Sequence, residues 1–138
     1  LLDALLHHLD PIQKEGLFIA PIAVVLSATT VVQPDVLYIR PNRLEIVREE
    51  AILGAPDVVF EILSSSTRAR DLTTKHDLYA LHGVDEYWIV DRRERRVYAY
   101  QEPMAGRYTN VVPYAVGEHP PSRVLAWSFD VRALFGPY

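Results

Sequence analysis

The feature that most constrains the fold is a helix-forming segment between two apolar, β-branched segments. Residues 58–63 and 86–91 have the composition of buried strands. The residues between them predict a helix from about Leu72 to His82, which Gly83 ends. Two strands joined by such a helical crossover lie parallel in one sheet. The sequence therefore predicts an α/β domain.

The segments on either side extend this sheet. An apolar stripe along residues 1–9 predicts a helix that Pro11 ends, and residues 17–26 and 31–39 predict two strands with a loop short enough for an antiparallel hairpin. Residues 44–50 fit either a short strand or a mobile excursion. Residues 97–101 predict a fifth strand, and the remainder predicts further strand pairing and a closing turn of helix. We expect a mixed central β-sheet flanked by helices.

Length and composition restrict the class of protein. A chain of 138 residues fits one domain, residues 1–138, whose natural start lies upstream of Leu1 if an initiator Met precedes it. The lack of cysteine excludes disulfides and thiolate metal sites and suits a reducing cytoplasm. No apolar run reaches the ~20 residues that span a bilayer, and no signal peptide is visible. The net charge of −4 argues against strong non-specific nucleic-acid binding but permits a local basic cleft.

Two carboxylates in apolar strands are the candidate functional residues. Glu61 lies in residues 58–63, and Asp35 follows Pro34 in residues 31–39. An ionised acid is costly to bury unless it is paired or holds a metal. Neighbouring strands are ~4.8 Å apart, so Asp35 and Glu61 can share one ion if their strands pair, whereas Asp57 lies ~13 Å from Glu61 along the same strand. The alternatives are a strand-edge acid at Asp35 and a buried Glu61–arginine pair.

The type of ligand indicates the ion. Carboxylate oxygens suit Mg²⁺ or Mn²⁺, which keep several waters and bind substrate phosphate. The backbone carbonyl of Ile62 is a candidate for a further ligand. Such an ion lowers the pKa of a bound water and stabilises charge on a scissile phosphate.

Several of these residues together resemble a known family. The string comprises Val-Gln-Pro-Asp at 32–35, Ala-Pro-Asp-Val-Val-Phe-Glu-Ile-Leu-Ser at 55–64, and then Ser66-Thr67-Arg68, Asp71, Lys75, Tyr79-Ala80, Gly83-Val84 and residues 86–91. From about Leu17 to Phe135 the chain is similar to the Uma-two family of restriction-endonuclease-like proteins, within the PD-(D/E)XK nuclease superfamily. The resemblance implies a core of helix, three-strand meander, helix and strand, with metal-dependent DNA cleavage. It places the superfamily's aspartate on Asp35 and its glutamate on Glu61.

The chain departs from the superfamily pattern in two places. The lysine expected two residues after Glu61 is replaced by Leu63, and the resemblance places the family's substitute lysine, from the following helix, on Lys75. The family also carries an acidic, glycine-containing segment upstream of the first helix, and this chain begins after it.

Lys75 is one of only two lysines in the chain, and its spacing predicts a helix face shared with Asp71 and Tyr79. A lysine there could orient the attacking water or neutralise the transition-state phosphate. The alternative is a surface lysine paired with Asp71, itself a candidate helix cap.

Clustered arginines are candidates for contact with substrate phosphate. Arg68 and Arg70 lie close to the predicted site along the chain. The run at residues 92–96 predicts an exposed hairpin turn, with contact to a DNA backbone as the second interpretation.

The leading hypothesis is a Mg²⁺- or Mn²⁺-dependent endonuclease that binds DNA and hydrolyses its phosphodiesters. A catalytically inactive nuclease fold that binds nucleic acid or protein is the alternative, and a hydrolase of small phosphoesters is a third. Cutting both strands needs two active sites, so a homodimer in the cytoplasm is predicted.

Overall fold

The computed structural model describes residues 1–66, 68, 71–128 and 130–135, with Asp71 described by its backbone alone. Within these residues, six strands form a mixed central sheet. In spatial order they are β1 (Leu17–Ile19), β4 (Val36–Tyr38), β6 (Val58–Ile62), β7 (Glu86–Asp91), β8 (Arg96–Met104) and β9 (Arg107–Ala115). A second sheet pairs β3 (Thr30–Val32), β2 (Ala23–Ser27) and β5 (Ala51–Leu53), and β10 (Pro121–Ser122) pairs with β11 (Trp127–Ser128).

The pairing of the central strands confirms the predicted crossover. β6 and β7 are parallel, with Phe60 opposite Trp88, whereas β1, β4 and β6 pair antiparallel in succession. A meander of three antiparallel strands is thus followed by a helical segment and a parallel strand. All six residues of β7 are buried, as expected for the middle of a sheet covered on both faces.

Helices cover the two faces of the sheet, as the sequence predicted. On one face α1 (Leu2–His8) contributes Leu5 to a core that contains Phe60 and Trp88. On the other, α3 (His76–Leu81) contributes Tyr79 to a core with Tyr87. Full burial of a large apolar side chain contributes about 1.5–3 kcal/mol, so these two cores fix the positions of β6 and β7. The described residues also form α2 (Pro11–Lys14) and two 3₁₀ helices, Pro41–Ile46 and Val131–Leu134.

Both predicted N-terminal strands were wrong in length. Residues 17–26 divide into β1 in the central sheet and β2 in the second sheet, with Pro21 between them. Residues 31–39 divide into β3 and β4 around Pro34. Proline cannot donate to a strand ladder, so a strand that crosses it ends there or changes partner.

Three other segments differ from the predictions in detail. Residues 44–50 lie partly in the 3₁₀ helix and partly in the approach to β5, with an isolated bridge from Val47 to Ile52, so the short-strand interpretation was wrong. The predicted helix at 72–82 begins as a π-helical turn, Asp71–Lys75, before α3, and Gly83 follows with φ +88° as expected. β8 extends beyond the predicted 97–101 and pairs with β9.

None of the helices in the described ranges is long and apolar enough to cross a membrane.

Candidate active site

Those predicted site residues that the structure describes lie at one edge of the central sheet. The parallel strands β6 and β7 end at this edge, and the antiparallel strand β4 begins there. Val36 pairs with Phe60, so the next position outward sets Asp35 opposite Glu61 on the face that carries α3. The prediction required the strand that follows Asp35 to pair with the strand that contains Glu61. The pairing of β4 with β6 confirms this.

Glu61 is a buried carboxylate held by three donors. Its side chain is 3% exposed. Lys75 Nζ lies 2.8 Å from Oε2, Tyr79 Oη donates to Oε1 at 2.7 Å, and Tyr87 Oη donates to Oε2 at 3.0 Å. Hydrogen bonds to an ionised acceptor are short and strong, and together they offset the cost of burying the charge. The cation that pairs with Glu61 is therefore an ammonium, where the sequence had left an arginine as the alternative.

Asp35 is held toward the same edge by the backbone of β6. Its Oδ2 accepts the N–H of Ile62 at 2.7 Å, and the residue is half-buried. Among the described residues, Oδ1 has no hydrogen-bond donor. One oxygen thus fixes the orientation of the carboxylate and the other is available for a ligand.

The acceptor positions of the two carboxylates fit a hard divalent cation. Each carboxylate oxygen has two lone pairs, so Glu61 Oε1 keeps one beside the Tyr79 hydroxyl and Asp35 Oδ1 keeps both. Mg²⁺ in phosphoryl-transfer sites is usually bound by one or two carboxylates, with waters and substrate phosphates completing its shell. Over the described part of the chain, no group of three or more His, Cys, Asp or Glu side chains gathers as an all-protein metal site would require. The donors that are present are carboxylate oxygens, the type of ligand that a hard divalent cation prefers.

Lys75 reaches this site from the junction between the π-helical turn and α3. Its side chain is 16% exposed and its ammonium is directed to Glu61. Tyr79, four residues on, reaches the same carboxylate, so the predicted shared helix face holds for these two residues. The side chain of Asp71, the third member of that face, lies outside the described residues.

Arg68 lies at the same edge in an ion pair with a buried aspartate. Its Nη2 is 2.8 Å from Oδ2 of Asp91, whose side chain is 1% exposed. The hydrogen bond to Asp91 raises the pKa of Arg68 above its ordinary value. Burial alone would raise the pKa of Asp91, but hydrogen bonds from Arg68 and from backbone N–H groups outweigh it, so this pKa lies below its usual range. Arg70 lies outside the described residues.

Asp57 lies at the opposite end of β6 and contacts two arginines. It accepts from the backbone N–H of Arg40 at 2.8 Å, and its Oδ1 lies 2.6 Å from Arg40 and 3.0 Å from Arg43. The buried acid–arginine pair considered for Glu61 therefore occurs at Asp57, which the sequence had placed too far from Glu61 to share an ion.

Two tyrosines are the main components of the site that the sequence did not identify as such. The sequence placed Tyr79 on a predicted helix face with Lys75 and gave Tyr87 no role beyond the strand at residues 86–91. Tyr87 pairs with Val59, two residues before Glu61, so strand alternation puts Tyr87 and Glu61 on one face. A tyrosine on the same face as a buried acid, one strand away, was the available signal.

Removal of a tyrosine hydroxyl tests whether Glu61 is ionised in the folded protein. Tyr79→Phe is expected to lower the free energy of unfolding by about 1.5–3 kcal/mol, the usual value for a hydrogen bond to a charged group. Tyr108→Phe is the matched control, because the Tyr108 hydroxyl donates to the neutral backbone oxygen of Val84 at 2.7 Å. That change is expected to cost about 0.5–1.5 kcal/mol. Urea unfolding measures both, and a Tyr79→Phe cost no larger than that of the control contradicts an anionic Glu61.

The fold defines a class of protein, nuclease-like α/β domains. The crystal structure of a protein from Anabaena variabilis, described as a putative nuclease belonging to DUF820, superposes with a TM-score of 0.69 at 20% sequence identity. The match covers 86% of this chain and 66% of the Anabaena chain, so this chain spans slightly less than two thirds of the length of the Anabaena protein. At this identity the likeness shows the fold alone, and it confirms the predicted fold class.

The family model Uma2, described as "Putative restriction endonuclease", matches residues 1–132. The chain belongs to the Uma2 family, as its motifs predicted. No curated protein matches this chain.

Proposed function

We propose that this protein is a Mg²⁺- or Mn²⁺-dependent endonuclease that hydrolyses DNA phosphodiester bonds. The observation that carries the proposal is the arrangement of Asp35 and Glu61 on neighbouring strands, with the ammonium of Lys75 on Glu61. Membership of the Uma2 family and the nuclease-like fold support the same class of activity.

In this proposal Asp35 and Glu61 hold the cation, and the backbone carbonyl of Ile62 is a candidate for a further ligand. The ion, when bound, supplies an activated water and stabilises negative charge on the scissile phosphate. The N–H of Ile62 keeps Asp35 turned toward β6, and Tyr79 and Tyr87 fix the plane of the Glu61 carboxylate. These contacts fix both carboxylates before substrate binds, so no reorganisation is needed during the reaction.

Lys75 supplies the positive charge that the superfamily draws from the position of Leu63. Its ammonium carries a full positive charge and lies 2.8 Å from Glu61 Oε2. In this proposal it neutralises the charge that develops on a phosphate oxygen beside the carboxylates. Arg68 and Arg70 are the proposed phosphate contacts outside the reacting centre, and the five N–H donors of Arg68 leave some for phosphate beyond those that meet Asp91.

Cleavage of supercoiled plasmid and linear duplex in Mg²⁺, Mn²⁺ and EDTA tests the proposal. The unmodified protein is expected to cut in either metal and not in EDTA, and Asp35→Asn is expected to slow cutting about 10²–10³-fold because it removes a charged ligand. Asp85→Asn is the matched control, since Asp85 is a partly exposed carboxylate at the opposite edge of the sheet, in an ion pair with Arg40.

The other outcomes of this experiment separate the competing functions. Equal rates in Asp35→Asn and the unmodified protein contradict the proposed metal site. Binding of DNA without cutting in any metal favours the inactive module, for which Leu63 is the supporting observation. Hydrolysis of a chromogenic phosphodiester with none of DNA favours a small-phosphoester hydrolase.

The assembly and location of the protein belong to the proposal as well. A single domain over residues 1–138, a homodimer that brings two sites to opposite DNA strands, and a cytoplasmic location remain predictions. Sedimentation with and without duplex DNA measures the oligomeric state.

A further inference from the structure

We propose that the turn between β7 and β8, the arginine turn (residues 92–96), is a second DNA-backbone contact of this protein, separate from the reacting centre. The inference rests on the proposed function in that it takes duplex DNA as the ligand. It assigns a partner to a charged surface that the chemistry at Asp35 and Glu61 does not use.

The arginine turn is a local concentration of positive charge on an acidic chain. It contains four arginines and one glutamate, whereas the chain as a whole has a net charge of −4. Arg92, Arg93 and Arg96 are exposed. Arg93 lies 3.9 Å from Glu94, but both side chains are largely in solvent, where such a pair contributes little. The exposed side chains of Arg92, Arg93 and Arg96 can therefore meet a polyanion without first losing a strong ion pair among the described residues.

The turn lies at the same edge of the sheet as the candidate active site. Ile62, whose N–H holds Asp35, pairs with Val90 on β7, and the N–H of Leu63 bonds to the oxygen of Val90 at 2.9 Å. The turn starts two residues beyond Val90. Two strand spacings and a few residues of rise put Arg92 roughly 10–15 Å from Asp35. Phosphates on one DNA strand follow every ~3.4 Å of helix axis, so a duplex with one phosphate at Asp35 has others a few nucleotides away within reach of the turn.

The shape of the turn is fixed by the buried Asp91. Its Oδ1 accepts the N–H of Glu94 at 3.1 Å, and its Oδ2 meets Arg68 at 2.8 Å. The guanidinium of Arg95 lies 5.2 Å from the centre of the Phe135 ring. A charged turn held in this way loses less conformational entropy on binding than a free loop. The Arg68–Asp91 pair also links it to the segment that follows Glu61.

Arginines at the opposite edge are arranged differently. Arg40 and Arg43 both contact Asp57, Arg40 also contacts Asp85, and Arg123 lies 2.8 Å from Glu102. Acidic partners thus compensate their charge. A solvated turn is the usual role of a charge run, but position beside the site and a fixed shape favour DNA contact here.

Fluorescence anisotropy with a labelled 30-base-pair duplex, in Ca²⁺ without Mg²⁺ or Mn²⁺, tests the inference. The double variant Arg92→Gln/Arg96→Gln is expected to bind about tenfold more weakly near 0.1 M salt. The slope of its log affinity against log salt concentration is expected to fall in magnitude by about 1 to 2, since each lost phosphate contact removes about 0.9 from that slope. The matched control is Arg107→Gln/Arg123→Gln, which removes the same charge from exposed arginines at the opposite edge and is expected to change affinity less than about twofold.

The outcomes for this inference differ from those for the proposed function. Equal losses in the two double variants, no loss in either, or no binding of duplex by the unmodified protein each overturn the DNA contact at the turn. Turn-dependent binding in a protein that never cuts DNA supports the contact and contradicts the nuclease. If cutting depends on Asp35 but the turn variant binds DNA as tightly as the unmodified protein, the result supports the nuclease and contradicts the DNA contact at the turn.

Discussion

Replacement of Glu61 by glutamine is expected to slow DNA cleavage by at least about 10³-fold. The substitution keeps the size of the side chain but removes a charged ligand of the proposed cation, a loss of several kcal/mol of electrostatic stabilisation at ~1.4 kcal/mol per tenfold in rate. It also puts an amide N–H₂ among three donors, so one donor must lose its acceptor. The free energy of unfolding is therefore expected to fall by about 1–3 kcal/mol.

Glu86→Gln is the matched control for this loss of stability. Glu86 is also 3% exposed and lies at the beginning of β7, at the edge of the sheet opposite to the site. Its carboxylate accepts from four donors, the side chains of Trp88, Ser122 and Gln101 and the backbone of Arg123. Glu86→Gln is expected to destabilise the fold comparably and to leave the cleavage rate per folded molecule within about threefold.

Rates divided by the folded fraction, measured by circular dichroism in the same buffer, separate stability from chemistry. If both glutamine variants slow cleavage alike, the effect of Glu61 is structural and its catalytic role is wrong. If Glu61→Gln cuts DNA at the unmodified rate, the proposed metal site is wrong.

Replacement of Lys75 by methionine is expected to have the second largest effect, a fall in cleavage rate of about 10²–10³-fold. The change keeps an unbranched side chain but removes the charge that is proposed to meet the phosphate. It also leaves the buried Glu61 with hydroxyl donors alone among its present partners. Since Lys75 is 16% exposed, the expected loss of folding stability is about 2–4 kcal/mol, at or below the range for a fully buried pair.

The chain offers two controls for Lys75. Lys14 is its only other lysine and is exposed at the end of α2, so Lys14→Met is expected to change neither rate nor stability measurably. Lys75→Arg keeps the charge in a wider, planar group and is expected to recover most of the stability but only part of the rate. If Lys75→Met cuts DNA at the unmodified rate once the rate is corrected for the folded fraction, Lys75 serves only to neutralise Glu61.

The fold was predictable from sequence where one apolar run formed one unbroken strand. Residues 58–63 and 86–91, with a helix between them and Gly83 at its end, predicted the parallel pair correctly. Residues 17–26 did not, because a continuous apolar run does not reveal that its two halves pair with different strands. Pro21 and Pro34 marked both divisions, and their missing N–H groups were the usable signal.

The candidate site was also predictable only in part. Alternation and strand spacing brought Asp35 and Glu61 together, and the resemblance pointed to Lys75. The partners of Glu61 were harder to predict, since Tyr79 and Tyr87 reach it from a helix and from a neighbouring strand. Their roles depend on register, and register follows from pairing that composition alone does not specify. The π-helical turn before α3 was likewise absent from the periodicity of the sequence.

The most direct measurement is anomalous diffraction from crystals of the protein soaked in Mn²⁺. The account predicts a peak within coordination distance of carboxylate oxygens of both Asp35 and Glu61, about 2.0–2.2 Å, and its loss in Asp35→Asn crystals. A well-soaked crystal without a peak at these two residues, or with Mn²⁺ bound only elsewhere, would contradict the account.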